Sequence, residues 1–157
     1  MGDWSKPLTL SLAKMLTFDV TTCLSAELEL VADFDLGPLR DHLQEQTGIV
    51  RDSVEDGTHS LWLALNPTEK DLDEAVRRYA SIIGALPPPL RLLWDTCSDR
   101  CLNTGIQSGR TPHALRIRIS EAALAEAARI SLRLEFSVYA IDLEDRSVPG
   151  RPDPHPG

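Results

Sequence analysis

Residues 22–34 read TCLSAELELVADF. Leu24, Ala26, Leu28, Leu30, Ala32 and Phe34 alternate there with Cys23, Ser25, Glu27, Glu29, Val31 and Asp33. A period of two sends successive side chains to opposite faces, so the segment predicts a strand with one greasy and one polar face. A strand buried on both faces would read as an unbroken apolar run. This one needs a core on one side and tolerates water on the other. The rhythm recurs in His59, Leu61, Leu63 and Leu65 against Ser60, Trp62 and Ala64. It returns in His113, Leu115, Ile117 and Ile119 against Arg116 and Arg118, and in Leu132, Leu134, Phe136, Val138 and Ala140 against Arg133, Glu135, Ser137, Tyr139 and Ile141.

Helical spacing separates these strands. Leu36, Leu39 and Leu43, with Pro38 in a first-turn position and Gly48 as a C-terminal stop, predict a short helix. Leu72, Ala75, Val76, Tyr79, Ile83 and Leu86 recur at intervals of three and four, leaving Lys70, Asp73, Glu74, Arg77 and Arg78 for water. Asn66, Pro67 and Glu69 suit the N-cap, N1 and N3 positions of that helix, and Pro87, Pro88 and Pro89 end it. Residues 48–57 read as a turn-rich loop. Residues 90–97 and 102–107 read as extended segments joined by Ser98, Asp99 and Arg100. Ser120 caps a last helix through Leu124, Ala127 and Ala128. The predicted order is β-α-β-α-β-β-α-β, an α+β two-layer sandwich with a largely antiparallel sheet and helices on one face, ferredoxin-like or related.

The chain has 157 residues, 42% apolar and 25% charged, an ordinary globular composition for a single domain at residues 22–145, with a formal charge of −8. Residues 1–21 read as a loosely ordered arm, in which Met15 offers an alternative start. Residues 146–157, with Pro149, Pro152, Pro154 and Pro156, read as a disordered tail. The acidity is uneven: residues 1–50 hold 8 acids and 3 bases, residues 51–100 hold 9 and 6, and the remainder 7 and 7. Such a field repels nucleic acid and anionic lipid and steers a basic partner. An odd count of three cysteines suits reduced thiols in a cytosol. No run approaches the ~20 apolar residues of a membrane span, and Pro7 to Ala13 makes no convincing leader.

Alternation places Glu27, Glu29, Trp62, Arg116, Arg118, Arg133, Glu135 and Tyr139 on the polar face of the sheet. Opposite charges on neighbouring strands can simply pair in water, at a few tenths of a kcal/mol each. Trp, Tyr and Arg are also the residues that dominate protein interfaces, so Trp62, Arg116, Arg118, Arg133, Glu135 and Tyr139 are the candidate partner-binding residues. Cys97 and Cys101 lack the further ligands a structural zinc needs, since His42, His59, His113 and His155 show no paired spacing. Asp95, Cys97 and His113 can be assembled as a nucleophilic trio, but without a local signature. Gly105 to Gly109 is no phosphate loop, and Asp52, Glu55 and Asp56 lack the regular calcium spacing. No catalytic residue, cofactor or metal ligand is assigned.

Three segments, SLWLAL at 60–65, RCLNTGIQSG at 100–109 and LRLEFSVYAID at 132–142, resemble the bacterial domain of unknown function 4279 family. Its members place a Trp-containing strand, a long helix, a glycine-containing strand and an aromatic-rich last strand in that order. The resemblance spans roughly residues 22–142 and brings no catalytic residues with it. It implies a small accessory or immunity-type protein of the kind that neutralises toxins.

The expected function is a cytoplasmic, non-enzymatic interaction module, an immunity-like inhibitor whose acidic surface masks a basic patch on its target. One alternative is a small-molecule sensor or enzyme with a pocket near Trp94, Asp95, Cys97, Asn103 and His113. Another is a structural subunit that self-associates through a sheet edge or the open face.

Overall fold

The computed structural model describes residues 20–67, 69, 71–110 and 114–140. The arm as far as residue 19, His113 and the proline-rich tail therefore lie outside the described residues. The elements run β1 (Thr22–Ala32), α1 (Gly37–Leu43), β2 (Thr47–Glu55), β3 (Thr58–Leu65), α2 (Leu72–Gly84), α3 (Pro88–Thr96), β4 (Asp99–Gln107), α4 (Glu121–Arg129) and β5 (Arg133–Tyr139). The chain is α+β, but this order departs from the predicted one.

β1 is a central strand, as its one-sided pattern requires. The five strands lie in the order β2-β3-β1-β4-β5. β1 pairs antiparallel with β3 and with β4, β2 pairs antiparallel with β3, and β5 adds parallel to β4. β1 and β2 thus point the same way with β3 between them, a split β-α-β connection through α1. Ala26, Leu28, Leu30 and Ala32 are buried together with Leu61, Leu63 and Leu65 of β3 and Leu102 of β4. All four helices bury residues in that same core. The layers are therefore a sheet and a helical cover on one face.

The helices form where their residues favour them, with shifted ends. α1 buries Leu39 and Leu43, and the Asp35 carboxylate accepts the Gly37 N–H at 2.8 Å. It stops at Leu43, because Gly48 already belongs to β2. The cap of α2 is Asp71, whose carboxylate accepts the Glu74 N–H, and the helix starts at Leu72 rather than at Asn66. Its predicted stripe of Leu72, Ala75, Val76, Tyr79 and Ile83 is buried throughout. The helix ends at Gly84, and Pro88 opens α3 instead of merely closing α2. A proline fits a first turn because the N–H it lacks has no partner there.

Three expectations are corrected. Residues 47–55 are an edge strand rather than a loop, joined to β3 by Asp56 at φ 51° and Gly57 at φ 79°. Two successive positive φ values make the tight turn whose twist matches a hairpin. Residues 90–97 are not extended: most of them lie in α3, whose Leu90, Leu93 and Trp94 meet the core at helical spacing. The predicted strand at 113–119 is no strand over its described residues, Ala114 to Ile119. Ile117 and Ile119 still pack on the core while Arg116 and Arg118 stay exposed. An extended segment lying on a core shows the alternation without any ladder.

Candidate functional site

Register assembles the face of the sheet that no described helix covers into two rows. Arg51 of β2, Trp62 of β3, Glu29 of β1, Cys101 of β4 and Arg133 of β5 are successive cross-strand partners. The next row runs through Gly48, Ala64, Glu27, Asn103 and Glu135. The Arg51 guanidinium lies 5.6 Å from the Trp62 ring centroid, a cation–π contact. Its other partners are the Glu55 carboxylate at 2.9 Å and the Ser53 hydroxyl at 3.2 Å. Asn103 donates from Nδ2 to Glu29 at 2.9 Å, while its own buried Oδ1 has no hydrogen-bond partner among the described residues. Arg133 is held by Asp99 at 2.6 Å and by Glu135. The Arg133 guanidinium in turn keeps the Asp99 carboxyl below its usual range.

Among the described residues both cations of the face, Arg51 and Arg133, are thus committed, and the charge left over is negative. Glu27 is half-buried in the central strand and makes no hydrogen bond or ion pair among the described residues. It stands one row from Glu29 and Trp62. A half-buried carboxylate on a face whose cations are already paired suits an incoming ammonium or guanidinium.

Of the six candidate residues, Trp62, Arg133, Glu135 and Tyr139 share this face, with Tyr139 at its far end and 51% exposed. Arg116 and Arg118 do not join them. They sit on the helix-bearing side, beside Leu72 of α2 and Thr104. Thr104 faces that side because it pairs with Ala26 of the core. Periodicity put all three arginines on one slab because it treated residues 113–119 as part of the sheet. Arg51 was missed for the converse reason, since its strand read as a loop. The Asp56–Gly57 pair just before an alternating run was the signal for that strand.

The residues of the alternative pocket are dispersed. Trp94 is completely buried and donates from Nε1 to the Ile130 carbonyl at 2.9 Å. Cys97 is buried at the end of α3, its Sγ 3.4 Å from the Leu93 carbonyl. Asp95 pairs with Arg91 at 3.1 Å, and Asn103 is on the opposite side of the sheet. Cys97 joins the helix-side core whereas Cys101 shares the open face with Glu29, so the two thiols are on different faces. Burial pushes each thiol up to about 11. Asp52 and Glu55 are taken up by arginines, Asp52 by Arg40 and Glu55 by Arg51. Among the described residues no cluster of three or more His, Cys, Asp or Glu is arranged to hold a metal, and no helix is long and apolar enough to cross a membrane.

No protein-family model, curated protein or solved structure matches this chain.

Proposed function

We propose that the protein is an interaction module that docks a basic protein partner on its open sheet face, acting as an immunity-like inhibitor in a reducing cytosol. The observation that carries this reading is the Glu27 carboxylate, half-buried and unpaired among the described residues, one row from Trp62 and Glu29. Leaving a carboxylate partly desolvated without a cation costs stability, and a partner's Lys or Arg would remove that cost on binding. Charge complementarity of this kind speeds encounter and sets orientation. Cys97 and Cys101, buried on different faces of the sheet with no bridge between them, suit a reducing compartment. Kinship with the domain of unknown function 4279 family, and a ferredoxin-like reading of β1 through β4, belong to the same proposal.

The test is capture from native lysate with wild-type protein, Glu27→Lys and Trp62→Ala side by side. A partner held by wild type, lost from both variants and released as salt rises from about 0.05 to about 0.5 M, where screening shortens to a few ångströms, supports the reading. Equal retention by all three proteins, salt-insensitive binding or the absence of any partner overturns it. Sedimentation of the purified chain distinguishes the rival subunit role, which predicts self-association that Trp62→Ala abolishes.

A further inference from the structure

Nine of the eleven described arginines hold a partner, eight of them through hydrogen bonds. Arg116 and Arg118 have none among the described residues. Both line the same cleft of about 300 Å³, on the side of the sheet away from Trp62. Thr104, 1% exposed, lines it too, and its hydroxyl is a buried polar group with no hydrogen-bond partner among the described residues. Leu72, Leu115 and Ile117 supply apolar wall, and Cys23 and Asp71, the cap of α2, line the cleft as well.

These features converge on one ligand chemistry. A buried hydroxyl without a partner costs about 1–3 kcal/mol, so a native site that keeps one has a use for it. A threonine hydroxyl donates well to a carboxylate oxygen. Two unpaired guanidiniums against the single Asp71 carboxylate leave the cleft with one net positive charge, enough for a monoanion and poorly suited to a dianion. The apolar wall asks for a short hydrocarbon body. At about 30 Å³ for each water-sized group, the volume holds roughly ten non-hydrogen atoms.

We propose that this cleft binds a small amphipathic monocarboxylate, its anion held by Arg116, Arg118 and the Thr104 hydroxyl and its apolar body against Leu72, Leu115 and Ile117. The site is separate from the open sheet face and stands or falls independently of the docking reading.

The probe is sodium hexanoate, titrated into the isotope-labelled full chain at constant ionic strength, with hexanol and acetate as parallel arms. Saturable amide shifts are expected at Leu72, Thr104, Leu115 and Ile117, with hexanol and acetate each at least about tenfold weaker. The exposed double change Arg116→Gln with Arg118→Gln should weaken hexanoate about tenfold or more while the far-ultraviolet circular dichroism is unchanged. Thr104→Val, similar in shape, should weaken it several-fold. Shifts that do not saturate, equal binding of hexanol, or equal affinity in the arginine double variant would each overturn the proposal.

Discussion

The indole N–H of Trp94 reaches the carbonyl of Ile130 at 2.9 Å, fastening α3 to the end of α4. Both residues are completely buried. Arg100 reinforces the junction by donating from Nη1 to the carbonyls of Trp94 at 2.8 Å and Asp95 at 2.7 Å, closing the end of α3 where backbone acceptors lack helical partners. Trp94→Phe should cost roughly 1–3 kcal/mol by leaving the Ile130 carbonyl unpaired. Trp94→Ala should cost roughly 3–5 kcal/mol through cavity formation. Urea unfolding of both variants checks this. A midpoint unchanged in either would mean that Trp94 is not the packing centre its burial indicates.

Tyr79 makes the corresponding link between helix and sheet. Its hydroxyl donates to the Leu63 carbonyl at 2.9 Å from a completely buried position on α2. Burial, more than any other influence, raises the phenol well above its ordinary range. The folded protein therefore keeps a proton that the unfolded chain loses above about pH 10. Stability contributed by this group is complete below that pH and falls as pH rises beyond it, by up to about 1.4 kcal/mol per unit. Tyrosinate absorbance for Tyr79 should appear only together with loss of circular dichroism. In Tyr79→Phe the alkaline decline should be shallower. An early tyrosinate signal from Tyr79 in folded protein would contradict the geometry.

At the other end of the pH scale the relevant group is Asp73. The Ser120 N–H donates to it at 2.6 Å and Arg77 Nε at 2.8 Å, joining the first turn of α2 to the start of α4. Ser120, through its hydroxyl and its amide, together with Arg77 lowers the Asp73 carboxyl to about 2. A lowered value means that the charged form is favoured by folding. Its stabilisation is present above the ordinary carboxyl value of about 4 and disappears as pH falls from there toward about 2. The urea midpoint of Asp73→Asn should lie below wild type at neutral pH and converge with it in acid. A constant gap across that window would show that the linkage does not depend on charge.

How much of this was legible depended on what each pattern was reporting. The alternation of β1 and β3 was legible because their inward residues meet a full helical layer. The stripe of α2 was legible for the same reason, down to Tyr79 and Ile83. Edge strand β2 was not, because Ile49, Val50 and Val54 remain exposed and a bulge near Val50 breaks the rhythm. The Leu90, Leu93, Trp94 and Cys97 spacing of α3 is helical, but it is short and follows prolines that serve equally to end one helix and to open the next. Residues 114–119 misled in the other direction. Their alternation records a core on one side and water on the other, and no hydrogen-bonded neighbour is required for that. Trp62 and Glu135 were consequently placed with their true neighbours, while Arg116 and Arg118 were credited to the wrong face.

Cys97 and Cys101 carry the last prediction. Burial pushes both thiols up to about 11, which leaves roughly one in a thousand ionised at pH 8 against about a quarter for an ordinary thiol. They are 4% and 1% exposed, and they project to opposite sides of the sheet. A disulfide needs side chains that converge, so mild oxidation of folded protein should give no bridge between them. An aromatic disulfide reagent at pH 8 should leave both unmodified in buffer and modify both in denaturant, as peptide mass mapping would read. Rapid labelling of Cys101 in buffer would mean that the cover of Glu29, Arg133 and Glu135 opens readily. A bridge between the two cysteines formed without unfolding would place β4 and the end of α3 in a different register altogether.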